Sequence, residues 1–184
     1  GNTNVIYNGG IVVPLASGYI DYAGDTAGGT TQALGVLTGV MYQDSVRKQP
    51  VWLDYWPGSG AVSVDTNHPV RAYVADNPNQ LYQVSSDASL TNRATAVATI
   101  FANTDLGTSA RTGSTDTGKS NSQASVANVN TTATLPLRIV GIVDDDANSD
   151  YTVAGIPLIV RLNAHFNAGT RRFDSQTTAD STGL

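Results

Sequence analysis

The sequence predicts a mainly β protein: an antiparallel β-barrel or sandwich with one short helix and a long polar arm. Three observations lead there. The stretch 134–166 holds two apolar runs of period two, 135–143 and 156–166, on either side of an acidic, turn-like loop. Such alternation belongs to a pleated strand, whose successive side chains point to opposite faces. All 15 acidic residues are Asp, with no Glu; Lys occurs only at Lys48 and Lys119, and there are 18 Gly. Glu and Lys populate helix surfaces, whereas Asp, Asn, Thr, Ser and Gly favour turns and strands. Finally, Trp56-Pro57-Gly58, Asn67-His68-Pro69 and Asp76-Asn77-Pro78 punctuate the chain like the turns of a sandwich or barrel.

Taken in order, residues 5–22 read as two short strands around a Gly-rich turn and a Ser-Gly turn, and 23–33 as a loop of small residues. Residues 34–42 form a strand whose Gly35 and Gly39 mark a bulge or a close backbone approach. The segment 50–56 carries both tryptophans and Tyr55, and short strands are expected at 60–64, 69–75 and 80–84. Over 87–101 the period changes. Leu90, Ala94, Val97, Ala98 and Phe101 fall on one helical face, with Ser86 or Asp87 as N-cap.

Residues 102–133 contain almost no large apolar side chains, so they are expected to form an extended arm or loop, ordered by a neighbouring subunit. The central strand pair follows. Leu135, Leu137, Ile139, Gly141 and Val143 share one face of the first strand, and Ile156, Leu158, Val160, Leu162, Ala164 and Phe166 one face of the second. The other faces, which include Arg138, Arg161 and His165, are mixed and partly covered. Residues 167–184 form a loose polar tail that Phe173 would anchor. The whole of 1–184 is expected to be a single β-rich domain.

Net charge is −5 with no run of Lys or Arg, which argues against nucleic acid and anionic membranes as partners. Cysteine is absent, excluding disulfides and thiolate metal sites. No apolar run approaches the roughly 18 residues of a membrane helix, and no signal peptide is visible. Gly1 in place of an initiator methionine is read as its removal or its absence from the sequence. Charged residues make up 14%, which suggests a surface partly covered by neighbours.

Residues 113–120, GSTDTGKS, match the phosphate-binding pattern G-x-x-x-x-G-K-[ST]. That pattern needs a buried strand before it and a helix after it, and neither flank provides one. Asp144, Asp146, Asn148 and Asp150 alternate as Ca²⁺ ligands would, but the loop lacks the sixth-position Gly and closing Glu of the helix–loop–helix version. A solvated hairpin loop explains them as well, so no metal is assigned. His68 and His165, the two histidines, read as structural, since no Cys or Glu supports a site. No nucleophile elbow is present, and neither catalytic nor cofactor-binding residues are expected. Trp52, Tyr55 and Trp56 are the interface candidates, with a sugar-stacking platform as the alternative.

The N-terminal third, with its strand, Gly, strand, Gly18-Tyr19, small-residue loop and Gly35-Val36 strand, resembles small head-decoration (cement) proteins of tailed bacteriophages. Residues 52–84 and 130–166 are similar to virion structural proteins of cyanobacterial and other aquatic phages. The resemblance implies a non-enzymatic, β-rich homotrimer bound to the major capsid protein on the outer surface of the head. The alternative is a glycan-binding or adhesion module of a virion fibre or tail.

Overall fold

The computed structural model describes residues 3–23, 32–107, 112–145 and 149–168. Among these the chain is mainly β, with ten strands and one short helix. The strands form an antiparallel sheet and a closed five-stranded barrel.

The sheet is built on β3 (Gly35–Gln43), the longest strand. β1 (Ile11–Pro14) and then β4 (Pro50–Leu53) pair along one edge of it, β5 (Arg71–Ala75) along the other. β2 (Ile20–Tyr22) extends the sheet beyond β1 through a tight turn in which Gly18 has φ +80°. The sequence places a bulge in this strand, and the β3–β5 register does shift between Leu37 and Gly39. The shift leaves Thr38 exposed between buried Leu37 and Gly39. The expected strand at 60–64 is instead a turn, with a single bridge from Val64 to Asp44. The inner face of the sheet closes one core around Ile6, Val12, Leu37, Val40 and Trp56.

The barrel runs β10-β6-β8-β7-β9 and back to β10. β6 is Tyr82–Ser86, β7 Asn103–Leu106, β8 Gln123–Asn130, β9 Leu137–Ile142 and β10 Pro157–Leu162. β6 and β8 are its parallel pair, and the other pairings are antiparallel. The predicted central pair is there as β9 and β10, with Leu137, Ile139, Leu158, Val160 and Leu162 in the second core. The alternation does not run to Phe166. The strand ends at Leu162, Asn163 and His165 turn inward, and Phe166 is exposed. There the chain leaves the barrel to bridge Ala33, which reverses its phase.

The largest departure from the sequence reading is the stretch 102–133. It carries β7 and β8, two of the five barrel strands, where an arm or loop is expected. Small side chains are what fit most of it there, with Leu106 joining the core. A five-stranded barrel has little internal room, and Thr104 and Ala124 fill it with no exposure at all. Backbone ladder bonds, with Thr104 Oγ1 donating to the Ser125 carbonyl, replace the apolar area that bulky residues would bury.

The helix also differs. α1 spans Arg93–Ala98 rather than 87–101, and its N-cap is Asn92, whose Oδ1 accepts from Thr95 N at 2.9 Å. Thr91 just ahead of the cap sits at φ +63°, and Phe101 just past the end at φ +72°. These reversals confine the helix to six residues, so the expected apolar stripe cannot form. Val97 and Phe101 are exposed, while Leu90, Ala96 and Ala102 are buried. The tail beyond residue 168 lies outside the described residues.

Candidate functional site

The outer face of the sheet is fixed by strand register. Directly opposed residues of antiparallel strands point to the same side. Gly39 opposes Tyr73, and Met41 opposes both Arg71 and Trp52. Gly39, Met41, Trp52, Arg71 and Tyr73 therefore share the face away from the core. The Trp52 and Tyr73 ring centroids lie 4.7 Å apart with their planes inclined at 54°. Both rings are strongly exposed, at 52% and 41%.

Glycine at position 39 makes this possible. A Cβ there would lie 2.6 Å from Trp52 Cζ2 and 3.2 Å from the Leu53 carbonyl oxygen. The benzo edge of the indole therefore lies against the strand backbone at Gly39. Thr38 Oγ1 donates to the Tyr73 carbonyl at 3.1 Å across the bulge. Arg71 stands exposed beside this pair and supplies a cationic edge.

The three aromatic candidates from the sequence separate. Trp52 alone joins the exposed face. Trp56 is buried, edge-on to Tyr42 at 6.3 Å, and belongs to the sheet core. Tyr55 stacks on Tyr7 at 5.6 Å, and its hydroxyl donates to the Thr115 carbonyl at 3.3 Å. The reason is alternation: Trp52 and Trp56 are separated by the end of β4, so the shared face is lost. The sequence does not single out Tyr73, because 69–75 reads simply as a strand. Its signal is that Arg71 and Tyr73 alternate with Ala72 and Val74, which puts a cation and an aromatic on one face.

The phosphate-loop match forms a small hairpin closed by a Gly113–Ser120 bridge. The amides of Ser114, Thr117, Gly118, Lys119 and Ser120 are bonded within the protein. Ser114 N donates to Lys119 O, Gly118 N to Ser114 O and Ser120 N to Asn8 O. Gly118, at φ +69°, lies under the Tyr55 ring, and the segment after it is β8 rather than a helix. A phosphate cradle needs free, convergent amides, and five of the eight here are engaged within the protein.

In the acidic loop, Asp146 and Asn148 lie outside the described residues. Asp144 accepts from the Tyr151 hydroxyl and pairs with Arg93, tying α1 to the loop. The Tyr151 hydrogen bond and then the Arg93 bond and charge hold the Asp144 carboxyl below its ordinary range, and the same contact raises Tyr151. Asp150 is engaged with Thr152 N and Oγ1 at 2.9 and 2.6 Å, which holds its carboxyl low too. Among the described residues no three His, Asp, Glu or Cys side chains gather as metal ligands.

His68 is exposed with Nδ1 3.6 Å from Asp65, and His165 is buried with Nδ1 accepting from Asn167 N at 3.1 Å. Asp65 is held low, chiefly by the Asn67 amide and further by Lys48. Among the described residues no helix is long and apolar enough to cross a membrane. Compared with protein-family models, curated proteins and solved structures, the chain matches none.

Proposed function

We propose that this chain is a structural decoration (cement) protein of a tailed-phage head. It acts on the outer surface of the virion, as a homotrimer contacting the major capsid protein. Beside the sequence resemblance, the observation that carries the reading is the Trp52–Tyr73 pair, a rigid, exposed aromatic anchor with Met41 and Arg71 around it. Aromatics, Met and Arg are the residue types enriched at protein interfaces, and buried aromatic anchors dominate their energetics. Cementing is mass action. A protein that binds the assembled shell better than its dissociated parts stabilises the shell by its differential affinity.

The test is head stability. Heads carrying the protein should rupture at a higher temperature than heads lacking it, and Trp52→Ala should lower both occupancy and rupture temperature. Equal rupture temperatures with and without the protein would sink the reading.

A second reading, a glycan-binding module of a fibre or tail, is favoured by the exposure of the Trp52 ring, an aromatic face open to stacking. Because Trp56 is buried, a change in tryptophan emission on adding host polysaccharide would report on Trp52, and Trp52→Ala would abolish it.

A further inference from the structure

Where the barrel meets the sheet, the fold leaves a cleft of about 360 Å³. That volume is within the range of small-molecule sites, about 300–1,000 Å³. Ile11 and Val36 line it from the sheet, Val84 and Leu162 from the barrel. Its rim is the hairpin that the phosphate-loop pattern marks, contributing Lys119 and Ser120. Among the described residues, Lys119 is the single charged one lining the cleft, in a chain whose net charge is −5. It is held in register there by its bridge to Asn8 and by the Ser114 N–H bond to its carbonyl at 2.9 Å. Ser120 and Ser122 share a hydroxyl hydrogen bond of 2.7 Å beside it.

A lining of Ile11, Val36, Val84 and Leu162, with Gln83 and Ser85 among them and Lys119 and Ser120 at the rim, suits an amphipathic molecule. The tail must be apolar, because burying a polar chain against Val and Leu leaves its groups unsatisfied. The head must be an anion, because the charged residue among the described lining is a cation, Lys119. We propose that this cleft binds a small amphipathic monocarboxylate, a medium-chain fatty acid in chemical class. Its carboxylate sits at Lys119 and its tail runs between Val36 and Val84. The site shares no lining residue with the Trp52–Tyr73 face, so it stands apart from the head-decoration reading.

Calorimetric titration of the whole protein with octanoate, 1-octanol and acetate tests it. Octanoate should bind saturably with one site per chain, octanol at least tenfold more weakly, and acetate without saturation. Lys119→Met should bring octanoate to the level of octanol and leave octanol unchanged. Val84→Phe should abolish both by filling the cleft, and Ser122→Leu narrows the rim if that variant fails to fold. Absence of saturable octanoate binding would overturn the proposal, as would a Lys119→Met variant with undiminished octanoate affinity.

Discussion

Leu158→Ala probes the barrel core directly. Leu158 has no solvent exposure and lies in β10 between Val84 of β6 and Ile142 of β9. Removing its three outer carbons forfeits about 2–2.5 kcal/mol of transfer free energy, at ~0.8 kcal/mol per methylene. The cavity left behind adds ~24 cal/mol per Å³ that does not collapse. Collapse is resisted here because β10 is hydrogen-bonded on both edges, so the wall cannot move inward without breaking a ladder. The expected cost is therefore about 4 kcal/mol, in the upper part of the ~2.7–5 kcal/mol range seen for Leu→Ala in cores. For a chain of this length that lowers the melting temperature by about 8–16 °C, at ~2–4 °C per kcal/mol.

Denaturant titration read by far-ultraviolet dichroism and by tryptophan emission is the assay. The second signal adds information, because Trp56 lies in the sheet core, not in the barrel. Sheet and barrel are joined by the Asn8–Lys119 and Ala33–His165 bridges and by the Tyr82 hydroxyl donating to the Ala75 carbonyl at 2.8 Å. Both signals should shift together. A loss below about 1 kcal/mol would refute the assignment of Leu158 to an incompressible core. A Trp56 transition that stays in place would refute cooperative unfolding of the two lobes.

Two further outcomes follow from the geometry. Gly39→Ala should push the Trp52 ring off its seat at a cost of about 1 kcal/mol, at the low end of overpacking because an indole edge yields; unchanged Trp emission and unchanged occupancy on heads would contradict the seat. Acidification should destabilise the protein, since Asp65 and Asp144 are both held below 3.8 in the folded chain. A depressed folded pKa gives stability that is complete above the unfolded value and is lost as pH falls through the folded one. The denaturant midpoint should thus be level from neutral pH to about 5 and fall below about 4, less steeply in Asp144→Asn, and a midpoint independent of pH would refute these contacts.

The sequence by itself determined the β class and the β9–β10 pair, because strand alternation is a local property written in consecutive residues. It also marked β3, where Gly39 announces a close approach without naming the Trp52 ring that makes it. What it misassigned depended on surroundings. Thr104 and Ala124 read as loop residues because their value lies in fitting a narrow barrel, and barrel width is set by strands far away in the chain. Helix α1 is shorter than its apolar pattern implies, because the reversals at Thr91 and Phe101 carry no glycine to signal them.

The functional residues divide in the same way. Trp52 was visible as an unusual residue, but its partner Tyr73 was chosen by β3, which registers β4 and β5 against its opposite edges. Lys119 belongs to a motif most of whose amides are bonded within the protein, and only the packing of barrel against sheet sets it at the rim of a cleft. Periodicity encodes which face a side chain takes. Which faces meet is decided by tertiary contacts between residues distant in sequence, and that pairing has no local signature.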